Sequence, residues 1–134
     1  MAKTFFLQML TPEKVVFKGE AEMVVVKALD GEVGILAGHL PMVASLEPYM
    51  IRIKTGGEEK VLANGEGFMQ VKPTEVLILC QTMEWPEEIE LSRVQRAIEE
   101  HQAKLKNATS DAEYRLSRAT LARAFARMAV KNYR

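Results

Sequence analysis

The stretch DGEVGILAGHLPMVASL, residues 30–46, combines turn-forming residues with apolar residues that are spaced as if for burial. Its glycines, Gly31, Gly34 and Gly38, permit the backbone geometry of a tight turn followed by a bulge. A phosphate-binding loop would normally add a lysine and lead into a helix, whereas the segments on both sides of this stretch have an extended pattern. The glycine-rich stretch therefore predicts a structural turn between strands.

Polar and aliphatic side chains lie next to one another in the glycine-rich stretch, a combination that suits a protein contact. Aliphatic residues that we expect to be exposed lie beside a carboxylate, a histidine and a proline. The candidate partner-binding residues are Glu32, Ile35, Leu36, His39, Leu40 and Pro41.

Short β-strands are predicted on both sides of this stretch, over residues 1–84. Phe5, Leu7 and Met9 recur with the two-residue period of a strand, and residues 23–26 and 76–79 are aliphatic runs of strand length. Gly56-Gly57 and Asn64-Gly65 predict tight hairpin turns. We expect an antiparallel β-sandwich or flattened barrel over these residues.

A helical pattern replaces the strand pattern at Trp85-Pro86. Acidic residues follow the proline, and the run from 89 to 106 contains no glycine or proline, so a helix is predicted there. Ser110 and Glu113 form a capping box for a second helix. Residues 85–134 are therefore predicted to be an antiparallel helix-turn-helix hairpin, which makes the fold class α+β. The predicted apolar stripes are Leu91, Val94, Ile98, His101 and Leu105 on the first helix, and Tyr114, Leu121, Phe125 and Met128 on the second.

Alanine is frequent in the second predicted helix. It favours helix but contributes little buried area, so a lone hairpin of this composition should be marginally stable. We hypothesise that the hairpin can detach from the sandwich.

The chain lacks the usual signatures of a catalyst or a metal site. It has two histidines, one cysteine and none of the GxSxG, HExxH, CxxC or phosphate-binding lysine motifs, so we predict no catalytic residues and no metal ligands. The formal net charge of the 134 residues is zero, which does not favour a nucleic-acid partner. No segment has the length and hydropathy to insert into a bilayer.

The second predicted helix is strongly basic. Residues 111–134 contain six basic and two acidic side chains, and Arg123, Arg127, Lys131 and Arg134 share one helical face. Such a face is either simply solvated, or it docks on an acidic partner surface or a phosphate group. The sequence pattern leaves these alternatives open.

The glycine-rich stretch resembles the epsilon subunit of bacterial F-type ATP synthases. The resemblance rests on Gly31-Glu32-x-Gly34-Ile35-Leu36-x-Gly38-His39-x-Pro41, on TPEKVVF, AEMVVVKA and NGEGFMQV, and on DAEYRLSRATLARAFARM in the hairpin. Ala37 stands where the family usually has a proline. The resemblance implies a β-sandwich of about ten strands followed by a helical hairpin.

The resemblance also implies partners and a location. In this family the sandwich, here residues 1–84, attaches to the gamma subunit and to the rotor ring of c subunits, and the glycine-rich stretch would lie near both. The hairpin, residues 85–134, is regulatory and can extend into the alpha/beta catalytic head, where it impedes ATP hydrolysis. The chain would then be a non-catalytic central-stalk subunit, peripheral on the cytoplasmic face of the bacterial cell membrane. The residues implied in the inhibitory contact are Arg115, Arg118, Arg123, Arg127 and Lys131.

Some bacterial members of this family bind ATP between the hairpin helices, as a regulatory ligand and not a required cofactor. By resemblance the ATP-binding residues here would be Glu84, Ile89, Glu90, Arg93, Arg123 and Arg127. Glu90 is longer than the family's aspartate, Val94 replaces a small residue, and Glu100 stands where an arginine is expected. The alternatives to a coupling and inhibitory subunit are an ATP-sensing switch and a generic β-sandwich adaptor of another assembly.

Overall fold

The computed structural model describes residues 3–133 and contains a β-sandwich followed by two helices, which confirms the predicted α+β class. Arg134 lies outside the described residues. The strands are β1 Phe5–Leu10, β2 Val15–Ala21, β3 Met23–Ala28, β4 Gly31–Leu36, β5 Met42–Leu46, β6 Tyr49–Thr55, β7 Glu58–Asn64, β8 Gly67–Val71, β9 Glu75–Cys80 and β10 Met83–Glu84. The helices are α1 Leu91–Lys106 and α2 Asp111–Asn132, and a single 3-10 turn spans Pro86–Glu88. Within the described part of the chain, neither helix is long and apolar enough to cross a membrane.

The strands hydrogen-bond in the order β10-β7-β6-β3-β5-β8-β9-β1-β2, and β4 pairs with β3. All of these pairs are antiparallel except β1 and β9, which run parallel. The predicted antiparallel sandwich therefore contains one parallel pair.

One large hydrophobic core lies inside the sandwich. Alternate side chains of β1, Phe5, Leu7 and Met9, point into it, as the period of that strand predicts. Ile51 and Ile53 of β6 are also fully buried there, so Arg52, which lies between them, is on the outer face of β6. Cys80 belongs to the same core, and burial raises the pKa of its thiol to about 12.

Of the two predicted hairpin turns, one is confirmed and one is wrong. Gly56-Gly57 connects the paired strands β6 and β7. Asn64-Gly65 connects β7 to β8, but these two strands do not pair with each other. The buried Asn64 amide donates instead to the carbonyl oxygens of Glu47 and Gly65, at 3.0 and 2.8 Å, and so stabilises the connection between β7 and β8.

The first helix starts later than predicted. Pro86–Glu88 form only a 3-10 turn, in which the Glu88 carboxylate accepts the backbone N–H of Trp85 at 2.9 Å. The backbone of Ile89 and Glu90 is then extended, and α1 begins at Leu91. Extension at this point buries the Ile89 side chain in a second, smaller hydrophobic cluster.

The second helix is capped as predicted, but its buried face is different. The Ser110 hydroxyl accepts the Glu113 N–H at 3.2 Å, while the Glu113 carboxylate accepts from Thr109. The predicted stripe is wrong at Tyr114 and Phe125, which are exposed. The residues of α2 that are buried are Ser117, Leu121, Ala124, Ala126 and Val130. The reason is that α2 packs on α1 and also on β6 and β7, so its buried residues lie on two sides of the helix, and Ala124 and Ala126 are buried on either side of the exposed Phe125.

Candidate functional site

The first candidate site, the glycine-rich stretch, consists of two strands joined by a turn. β4 covers residues 31–36 and β5 covers residues 42–46, and positive φ angles at Gly31 and Gly38, 125° and 82°, let the chain turn before and after β4. Glu32, Leu36, Leu40 and Pro41 are exposed, and His39 is half-buried with its Nδ1 2.8 Å from the Leu40 carbonyl oxygen.

The sequence prediction is wrong for one of the six candidate partner-binding residues, which it expected to be exposed. Ile35 is 1% exposed and belongs to the sandwich core, because alternate residues of β4 face inward. Val43, which the prediction missed, is 70% exposed on β5 immediately after the turn. The exposed apolar group at this end of the sandwich therefore comprises Leu36, Leu40 and Val43.

The second candidate site lies where α2 meets the sandwich, and two ion pairs cross it. Arg127 Nε donates to Glu84 Oε1 at 2.6 Å, and both side chains are 28% exposed. Arg123 Nη1 donates to Glu66 Oε2 at 3.0 Å. The basic face predicted on α2 is thus neither simply solvated nor wholly available to a partner.

The remaining basic residues of α2 face solvent. Arg115, Arg118 and Lys131 are exposed, and Arg115 makes only a long hydrogen bond to the Asp111 carbonyl oxygen, at 3.4 Å. The five residues implied in an inhibitory contact therefore divide into two that are paired with the sandwich and three that are exposed.

A cleft of about 380 Å³ lies beside the Glu84–Arg127 pair. It brings together five of the six residues predicted for ATP: Glu84, Ile89, Glu90, Arg93 and Arg127. Glu88, Val94, Ala97 and Ala124 also line it. Arg123 does not, because its guanidinium is directed to Glu66, and Glu100 pairs with Lys104 at 3.2 Å outside the cleft.

The charge of the cleft is mixed. Three acidic residues, Glu84, Glu88 and Glu90, line the cleft together with two basic ones, Arg93 and Arg127. The pKa of Glu88 is lowered, chiefly by the hydrogen bond from the Trp85 N–H and further by Lys14 at 3.2 Å, so Glu88 remains ionised. An anion entering the cleft would therefore have to displace Glu84 from Arg127 and tolerate a fixed negative charge nearby. Among the described residues, no group of three or more His, Cys, Asp or Glu side chains has an arrangement suited to a metal ion.

Comparison with known proteins identifies the family. A family profile described as "ATP synthase, Delta/Epsilon chain, beta-sandwich domain" matches residues 4–86. The ATP synthase epsilon chain of Ruminiclostridium cellulolyticum is 41% identical over 131 residues, which cover 98% of each chain. That of Caldicellulosiruptor saccharolyticus is 40% identical over 124 residues, 92% of this chain and 90% of its own. The chain belongs to the ATP synthase epsilon-chain family.

Solved structures share the fold of this epsilon-family chain. A chain from the Euglena gracilis mitochondrial ATP synthase, in a structure of OSCP, F1 and the c-ring, superposes with a TM-score of 0.84. The superposition covers 94% of this chain and 80% of the other at 22% identity, so it establishes the fold alone. The resemblance inferred from the glycine-rich stretch is thereby confirmed at the level of family and fold.

We predict that Arg127→Gln loosens the hairpin of this epsilon-family chain. The change leaves Glu84 partly buried without its cation, at an expected cost of about 1–2 kcal/mol in docking free energy. Chymotrypsin cleavage of α2, for which Phe125 supplies a site, measures the opened population and should accelerate roughly 5- to 30-fold.

Lys104→Gln is the matched control for this change. It removes an exposed pair within α1, with Glu100, and should alter cleavage by less than about twofold. Equal cleavage rates for the two variants would contradict a role for Arg127 in holding the hairpin.

Proposed function

We propose that this chain is a non-catalytic central-stalk subunit of a bacterial F-type ATP synthase, bound peripherally at the cytoplasmic face of the membrane. The observation that carries the proposal is the 41% identity with a named epsilon chain over 98% of both sequences, which includes the sandwich and the hairpin. Two solved structures that contain a chain of similar fold, one of OSCP, F1 and the c-ring and one of a central stalk and c-ring, add support. In this role the chain couples ion flow to ATP synthesis while other subunits supply the chemistry.

The sandwich is proposed to dock on the gamma subunit and on the rotor ring of c subunits. Support comes from the aliphatic side chains of Leu36, Leu40 and Val43, which are 58%, 79% and 70% exposed beside the half-buried His39. Large aliphatic side chains grouped at a surface are typical of a protein interface. Glu32, also exposed, adds a charge that can select the orientation of a partner.

The hairpin is proposed to inhibit ATP hydrolysis when it leaves the sandwich. In the docked state Arg123 and Arg127 neutralise Glu66 and Glu84. Once undocked, the same guanidiniums are free for acidic surfaces of the alpha/beta catalytic head, together with the exposed Arg115, Arg118 and Lys131. The two states therefore compete for the same cations, so the balance depends on which set of carboxylates they meet.

ATP is proposed as a second, regulatory ligand that holds the hairpin down. The observation that favours it is the cleft beside Glu84, which gathers five of the six residues implied by the family resemblance. Arg93 and Arg127 supply charge for the phosphates, while Glu84 and Glu88 oppose them. Binding should consequently be weak in this chain, since the anion must compete with carboxylates already in place.

Two double variants test the inhibitory role with opposite expected signs. Each is added to a bacterial F-type catalytic head that has been stripped of its own epsilon subunit, and ATP hydrolysis is measured. Glu66→Gln with Glu84→Gln releases the hairpin and keeps its arginines, so about fivefold less protein should give half-maximal inhibition. Arg123→Ala with Arg127→Ala also releases the hairpin but removes two of its cations, so inhibition should weaken and become less sensitive to salt.

Unchanged inhibition by the arginine variant would contradict the inhibitory contact, and a failure of the wild-type chain to bind the head would contradict the stalk assignment itself. A chain that binds without inhibiting would retain the coupling role alone.

Trp85, the single tryptophan, follows Glu84 and donates its backbone N–H to Glu88, and both glutamates line the cleft, so its fluorescence provides a signal for ATP binding. Arg93→Ala should weaken ATP binding about tenfold, because a charged hydrogen bond to phosphate is lost, whereas Glu88→Gln should strengthen it. Glu100→Gln, outside the cleft, is the control and should leave affinity unchanged. Absence of any response to millimolar ATP in the wild type and in Glu88→Gln would rule out the ATP role.

A further inference from the structure

A polar network on the outer face of the sandwich connects the end of α2 to the glycine-rich stretch. Its members are Tyr133, which follows α2, Glu59 on β7, Arg52 on β6 and Glu32 on β4. Tyr133, Glu59 and Arg52 have no part in the proposed inhibitory contact or in the ATP cleft.

The first link of the polar network joins the hairpin to β7. The Tyr133 hydroxyl donates to Glu59 Oε1 at 2.7 Å, and this hydrogen bond raises the pKa of Tyr133, so the donor proton is retained at neutral pH. It is a contact between the C-terminal end of α2 and the sheet, separate from the ion pairs of Arg123 and Arg127.

The second link joins β6 to β4 across the intervening strand β3. Arg52 Nη1 donates to Glu32 Oε1 at 3.0 Å, and the Arg52 side chain is 23% exposed. Val25 of β3 is in register with both Arg52 and Gly34, so the arginine reaches over β3 to a diagonal neighbour on β4. The hydrogen bond to Glu32 is the largest influence raising the pKa of Arg52.

The two links meet at Arg52. The partner of Arg52 in the β6–β7 register is Val61, so Glu59 is its diagonal neighbour on the same face, within reach of a long side chain. The charge of Glu59 also acts on Arg52 and adds to the rise in its pKa. Rotation of the Arg52 side chain can therefore exchange Glu32 for Glu59, and a guanidinium that binds both carboxylate oxygens would then compete with the Tyr133 hydroxyl for Oε1.

We propose that the polar network couples occupation of Glu32 to release of the hairpin. A partner that neutralises Glu32 with a cationic or hydrogen-bond-donating group frees Arg52, which turns to Glu59 and displaces Tyr133 from it. The end of α2 then loses its contact with β7. The coupling rests on the proposed function in one respect, namely that Glu32 is a docking residue.

The test uses the isolated full chain, so it does not depend on any partner. Glu32→Gln imitates the neutralised carboxylate, and hydrogen exchange of the last two turns of α2 reports release. We expect Glu32→Gln and Tyr133→Phe each to accelerate this exchange about threefold, and the double variant to add little beyond either one. Glu75→Gln, which breaks the exposed Lys72–Glu75 pair on β9, is the matched control and should have no effect.

Arg52→Gln distinguishes coupling from a general loss of charge. With Arg52 absent, Glu59 stays with Tyr133, so Glu32→Gln in the Arg52→Gln background should no longer accelerate exchange. An unchanged rate in Glu32→Gln or in Tyr133→Phe, strictly additive effects, or persistence of the Glu32→Gln effect without Arg52 would each overturn the proposal.

Binding of the same variants to a gamma subunit and c-ring complex is measured separately. If Glu32→Gln accelerates exchange but binds normally, the coupling stands and the docking role of Glu32 fails. If it binds poorly with unchanged exchange, the docking role stands and the coupling fails.

Discussion

Apolar side chains, two arginine–glutamate pairs and the Tyr133–Glu59 hydrogen bond make the contact between α2 and the sandwich. Ala124 and Val130 join Met50 and Ala63 in the smaller hydrophobic cluster, which is separate from the sandwich core. The alanines of α2 bury little apolar area, so the ion pairs of Arg123 and Arg127 add to what the cluster contributes in fixing the hairpin in place. The proposed regulation depends on this contact, which is partly electrostatic.

The sandwich does not share that weakness. Its core is enclosed by ten strands and includes the fully buried Leu7, Ile51, Leu62 and Ile78, none of which contacts the helices through the smaller cluster. We propose that the sandwich is a stable anchor and that the helical hairpin can leave it while the anchor stays folded. In the proposed inhibitory state, an acidic surface on a partner would replace Glu66 and Glu84 as the partners of Arg123 and Arg127.

The spacing of apolar residues along the sequence predicted the positions of strands and helices, because these depend on neighbouring residues. Alternation in β1 and the change at Trp85-Pro86 placed the strands and helices, and the Ser110 cap fixed the start of α2. The helical spacing predicted a buried Phe125. The helix is enclosed on two sides, and it buries Ala124 and Ala126 while Phe125 is exposed. The spacing also could not pair Arg123 with Glu66, which is 57 positions away. Ile35 was expected at the surface because the stretch was predicted to be a turn, whereas the alternation of β4 directs it into the core.

Native-state hydrogen exchange on the full chain tests the central claim, that a firmly folded sandwich carries a weakly held hairpin. The measurement is the opening free energy of amides in α2 beside that of amides in β1, β6 and β9. The account predicts that α2 opens in a separate step, about 3 kcal/mol or more below the opening of the sandwich. A single common opening free energy for α2 and the three strands would contradict it, since the helices and the sandwich would then unfold as one cooperative unit.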